Sequence, residues 1–153
     1  MENKLGVKQQ LFSQCEAFCN SRLNNIQKTI EEIQESLTSE TKSSAGDKHE
    51  TGRAMLQIER EKAGSQLAEI QKLQELLSKI DVSKTSESVC LGSLVITSSS
   101  NYFIAISAGE LKVSDQIFYA ISPITPIGKL LMGKQVGALL SFREQKFTIV
   151  AIL

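Results

Sequence analysis

Two carboxylates, Asp47 and Glu50, stand three positions apart in the segment Gly46-Asp47-Lys48-His49-Glu50, with the only histidine of the chain between them. On a helical turn, residues three apart share a face, so both carboxylates would act on one side. The same spacing is that of a capping box, with Asp47 as N-cap and Glu50 at the third helical position. Such a box stabilises a helix start by ~1 kcal/mol and implies no chemistry. A metal or general-base role for His49 would need a second histidine or cysteine beside it, and the sequence places none there. It reads as a solvated residue. Lys42, Lys48 and Arg53 flank the pair, and could touch phosphates or acidic walls as readily as stay solvated.

The three cysteines, Cys15, Cys19 and Cys90, offer less. Cys15 and Cys19 are four apart, which puts them on one helical face rather than in a metal-type turn. They read as small reduced core residues. An acyl-transfer site built on a cysteine would need a histidine partner, and the one histidine lies in a polar segment far along the chain.

What must position the carboxylates is a pair of long helices. Phe12, Cys15, Cys19, Leu23, Ile26, Ile30, Ile33 and Leu37 step by three and four residues, with polar residues between. A second stripe runs through Leu56, Ala63, Leu67, Ile70, Leu73, Leu77 and Ile80, and no proline interrupts either. Between them, SETKSSAGDKHETG is polar and glycine-bearing. Two single-striped helices joined this way fold back as an antiparallel coiled-coil hairpin, each burying the other. At ~1.5 Å per residue the rod is on the order of 50 Å long. The hairpin is expected over residues 1–80, with its tip near 40–52.

Residues 81–91 read as a polar linker, and 92–153 as a second domain. There the apolar runs shorten to Leu94–Thr97, Tyr102–Ile106, Ile117–Ile121, Val136–Phe142 and Phe147–Ile152, each strand-like and bounded by Ser, Asn or Gly. In Thr125-Pro126-Ile127-Gly128-Lys129-Leu130-Leu131-Met132-Gly133, a cap residue, an N1 proline and a terminal glycine mark a short helix. The fold class is therefore α+β: a helical hairpin, then a small antiparallel sheet crossed by one short helix. A domain of about 60 residues is marginal alone, so docking onto the hairpin base should help it.

Charge narrows the partners. The chain carries 17 basic and 17 acidic residues, 11 and 12 of them in residues 1–80. Neither half has the basic excess that drives autonomous binding to DNA or RNA, so any nucleic-acid contact is expected through a protein partner. No signal-peptide core and no membrane-length apolar run is present, which predicts a soluble cytoplasmic protein. An intramolecular hairpin satisfies both stripes and favours a monomer.

The second half resembles the C-terminal domain of the Gre transcript-cleavage factors, a family of bacterial transcription elongation factors, and that domain is FKBP-like. The match runs from Ile121-Ser122 through Thr125-Pro126-Ile127-Gly128-Lys129 and Gly133-Lys134 to Val136-Gly137, with Thr125 where the family has serine. Gly92-Ser93-Leu94-Val95 resembles the family's first strand, and Phe147-Thr148-Ile149-Val150-Ala151-Ile152 its last. In the first half, Gly46-Asp47 followed by Glu50 reproduces the family's tip motif.

The resemblance implies a hairpin that enters the secondary channel of RNA polymerase and brings its acidic tip to the active centre. It implies no activity of the chain's own: the polymerase hydrolyses its backtracked RNA, and the factor assists. Asp47 and Glu50 would be the catalytic tip, sharing a polymerase-held Mg²⁺ when docked and helping to orient the attacking water. One residue can cap the helix in solution and reach the ion when docked. The chain would have no cofactor of its own and would meet the RNA 3′ end only through the polymerase. The sheet domain would anchor at the channel rim, with no role assignable to Lys129 or Lys134. After Glu50 the family continues Asn-Ala-Glu-Tyr, where this chain has Thr51-Gly52-Arg53-Ala54. That departure leaves two alternatives open: a channel-binding regulator without cleavage activity, and a plain coiled-coil adaptor. A prolyl isomerase, suggested by the FKBP-like fold, would need an aromatic-lined pocket.

Overall fold

The computed structural model describes residues 4–42 and 46–153, with side chains for 5–39 and 51–153. The order is α1 (Lys4–Lys42), α2 (Gly46–Ser78), β1 (Leu94–Thr97), β2 (Asn101–Ile104), β3 (Gly109–Val113), β4 (Gln116–Ile121), α3 (Pro126–Leu131), β5 (Leu139–Phe142) and β6 (Gln145–Ile152). A helical hairpin followed by a small sheet domain with one short helix is the fold expected from the sequence. No described helix is long and apolar enough to cross a membrane. The chain forms two compact units, Cys19–Gln74 and Met1–Phe18 with Glu75–Leu153.

In the unit Cys19–Gln74, α1 and α2 lie antiparallel and seal their stripes together. Ile26, Ile33, Ala63 and Ile70 are buried, with Leu23, Ile30, Leu37, Leu56 and Leu67 packed against them. These are the residues whose three-and-four spacing marked the helices. Mid-helix threonines do not disturb the rod: Thr29 and Thr38 donate to the carbonyls of Asn25 and Gln34 at 3.0 Å. The outer face carries exposed pairs such as Lys72–Glu69, 3.2 Å apart, which contribute little in water.

The other unit is built on a six-stranded sheet of order β3-β4-β2-β1-β6-β5. All neighbours are antiparallel except β2 and β4, which pair in parallel with Tyr102 opposite Tyr119 and Phe103 opposite Ala120. The sheet is therefore mixed rather than wholly antiparallel. The cause is β3, an element the apolar pattern did not reveal. It leaves β2 for the sheet edge and returns through a hairpin, laying β4 alongside β2 in the same direction. The two tight two-residue hairpins, at Ser114-Asp115 (φ 50° and 66°) and Arg143-Glu144 (φ 50° and 67°), have both central residues at positive φ, the geometry that matches strand twist. In the second, the Arg143 guanidinium lies 5.1 Å over the Phe142 ring. The expected strands Tyr102–Ile106 and Val136–Phe142 are shorter than their apolar runs, ending at Ile104 and beginning at Leu139.

Both faces of the sheet are covered. On one, α3 lays Leu131 onto Val95, Ile104, Leu140, Phe147 and Ile149. On the other, Leu94, Phe103, Phe118 and Ala120 are buried, as are Leu11 and Cys15 of α1 in the same unit. There Gln14 Nε2 donates to the Lys112 carbonyl of edge strand β3 at 2.9 Å. The segment 81–91 opens with a turn in which the Asp81 carboxylate accepts from the Ser83 amide at 3.0 Å. Lys8, buried, donates from Nζ to the Lys84 carbonyl at 3.0 Å. The segment then joins the core: Val89 is buried and exchanges backbone hydrogen bonds with Gly133 and Lys134, beside a single bridge from Ser88 to Gln135.

Candidate functional site

Helical backbone reaches into the expected tip from both sides, since α1 runs to Lys42 and α2 begins at Gly46. Asp47 is thus the second residue of α2 and Glu50 lies one turn further, both near the helix end where the backbone dipole favours negative charge. The side chains of Asp47 and Glu50, the expected catalytic and metal-sharing pair, lie outside the described residues, as do those of Lys42, Lys48 and His49. Beyond them α2 continues without interruption through Thr51-Gly52-Arg53, so the departure from the Gre pattern leaves the helix intact. Arg53 is exposed there. Chemically, two carboxylates offer hard oxygen donors suited to Mg²⁺ and would leave the rest of its octahedral shell to water or to other ligands.

The second motif, Ile121 to Gly137, is fully described, and its residues hold α3 against the sheet. Thr125 caps α3: its Oγ1 accepts from the Gly128 amide at 3.1 Å and donates to the Ser122 carbonyl at 2.7 Å. Pro126 fills the first helical position, where its missing N–H costs nothing. Gly128 is required by contact, because a Cβ there would lie 2.1 Å from the Ser122 carbonyl oxygen. Gly133 ends the helix at φ 80°, and its amide donates to the Val89 carbonyl at 2.9 Å. Lys129 sits in the last turn of α3, where a cation suits the helix end. Thr125, Pro126, Gly128 and Gly133, which carry part of the resemblance in this half, are therefore residues that the local fold demands.

The aromatic residues are distributed in the same way. Phe103, Phe118 and Phe147 are buried in the core, while Tyr102 and Tyr119 lie side by side on neighbouring strands, their rings tilted by 41° with centroids 6.2 Å apart. The cysteines follow their expected core role in part: Cys15 and Cys19 are buried thiols and Cys90 is exposed. Burial pushes the Cys19 thiol pKa up, partly offset by the nearby Arg22 charge, so it stays protonated and unreactive at neutral pH. Sequence reasoning did not find the buried ammonium of Lys8, whose signal was a lysine within the apolar spacing of α1. It also did not find the exposed apolar residues Met55 and Ile58 on α2 or Ile117, Tyr119 and Ile124 in the sheet domain.

No family model matches the chain, and no curated protein matches it. Among solved structures, the chain is similar to the transcription factor Gfh1 at 22% identity, over 95% of this chain and 92% of that one, with a TM-score of 0.34. At that TM-score the likeness carries no weight of its own, and the fold rests on the elements and packing described above.

Proposed function

We propose that this chain is a Gre-like transcription factor that binds bacterial RNA polymerase, inserts its hairpin into the secondary channel and stimulates the polymerase's own cleavage of backtracked RNA. The observation that carries this reading is the Gly46-Asp47…Glu50 motif at the start of α2, where a long antiparallel hairpin reverses. The same chain carries the Ile121–Gly137 motif that seats α3 on the sheet. In this role Asp47 and Glu50 add carboxylate oxygens to a Mg²⁺ held by the polymerase, which when bound stabilises the attacking and leaving oxygens of the hydrolysis. The helix holds the two carboxylate positions one turn apart, and the hairpin carries them to the RNA.

A second reading keeps the polymerase and drops the cleavage: a channel-occupying regulator. It is favoured by exposed Arg53, which places a positive charge one turn beyond Glu50 on an unbroken helix.

A transcript-cleavage assay on stalled, backtracked complexes separates these, comparing the wild-type chain with Asp47→Ala/Glu50→Ala. The proposal expects wild type to shorten the RNA, and the double variant to bind the polymerase equally well with at least a tenfold loss of cleavage. Equal blocking by both proteins without shortening would leave the regulator. Absence of polymerase binding by wild type would overturn both and leave the coiled-coil adaptor.

A further inference from the structure

We draw no further inference here: the strongest candidate, the exposed apolar pair Met55 and Ile58 on the face of α2 turned away from its buried stripe, is an unpartnered helix face, and nothing in the structure shows what covers it.

Discussion

The hairpin unit and the sheet-bearing unit bury their apolar residues to different depths. Along the hairpin the small Cys19 and Ala63 are well covered, but the large stripe residues keep some exposure, 7% at Ile33 and Ile70, and the leucines beside them are only partly covered. In the sheet unit, Val95, Phe103, Ile104 and Leu131 are sealed completely. Two helices can cover only one side of each other, whereas a sheet packed on both faces encloses what lies between. Stability in the hairpin is thus spread along its length in small, repeated contacts. In the sheet unit it is concentrated in a few side chains that touch many others.

The strongest test of that contrast is a pair of truncations. Phe103→Ala should cost ~3–5 kcal/mol, the usual range for removing a sealed phenylalanine. Ile70→Ala should cost only about 2 kcal/mol, because the open flanks of the hairpin let neighbours and water close in. Two probes weight the units differently, although α1 up to Phe18 and α2 from Glu75 belong to the sheet-bearing unit. The chain has no tryptophan, and both tyrosines, Tyr102 and Tyr119, lie in the sheet domain, so tyrosine fluorescence reports that domain alone. Far-UV circular dichroism is dominated by α1 and α2. In urea, Ile70→Ala should shift the dichroism midpoint more than the fluorescence midpoint. If both move together by the same amount, the units unfold as one and the contrast fails.

A glycine substitution sharpens the comparison on the sheet side. Gly128→Ala places a methyl group 2.1 Å from the Ser122 carbonyl oxygen, 2.9 Å from Thr125 Oγ1 and 3.1 Å from the Pro123 carbonyl carbon. Backbone atoms cannot swing away as a side chain does, so α3 must lift from the sheet, at an overpacking cost of about 2–3 kcal/mol. The fluorescence midpoint should fall with little change in the dichroism of the long helices. A Gly128→Ala chain as stable as wild type would mean that α3 is not fixed by this contact.

The same contrast governs what could be read from sequence. The hairpin was legible because stripe spacing is a local property: Leu23 to Leu37 and Leu56 to Ile70 need no knowledge of anything distant to announce two helices. The short helix α3 was legible for the same reason, through Thr125, Pro126 and Gly133. The missed strand, β3, is Gly-Glu-Leu-Lys-Val at the sheet edge, mostly open to solvent, so it lacks the apolar run that marks a buried strand. Its turn, Ser114-Asp115, and that of the second hairpin, Arg143-Glu144, lack the glycine that usually signals positive φ. The parallel pairing of β2 with β4 follows from β3, so missing the one hid the other. At the candidate site, sequence singled out the carboxylate pair by spacing and resemblance, and their side chains lie outside the described residues. Whether Asp47 and Glu50 converge on one ion depends on side-chain placement in a docked complex, which spacing does not encode.

Lys8 provides a smaller test, at a point where α1 enters the sheet unit. Its ammonium is buried and donates to the Lys84 carbonyl. Desolvation lowers its pKa below the ordinary 10.5, against opposing attraction from Cys90 and Asp81. Between the lowered folded value and the unfolded one, the unfolded chain binds the proton more readily, so stability rises with pH through that window. Lys8→Met removes one hydrogen bond at about 1 kcal/mol or less, since the carbonyl of exposed Lys84 can rehydrate. It also removes the titration. The stability gap between wild type and Lys8→Met should therefore widen from neutral pH to about pH 10. A gap that narrows would show that the charged form is the one favoured by folding.

The smallest effect should come from the hairpin, and with the opposite sign to Gly128. Gly64 sits in the interior of α2, where glycine costs roughly 0.5–1 kcal/mol relative to alanine through the entropy of the unfolded chain. A Cβ at this position meets only the Nη1 atom of Arg60, at 3.1 Å, the far end of a flexible side chain. The guanidinium can move aside by rotation, which the Ser122 carbonyl cannot do for Gly128. Gly64→Ala should accordingly raise the dichroism midpoint in urea, by an amount equivalent to about 0.5–1 kcal/mol, and leave tyrosine fluorescence unchanged. Two glycine-to-alanine changes of opposite sign would express the difference between the units directly: close backbone contact in the sheet domain, and one-sided packing with room to adjust in the hairpin. A destabilised Gly64→Ala chain would instead show that Arg60 is held in place, and that the hairpin is packed more tightly at this turn than its exposure indicates.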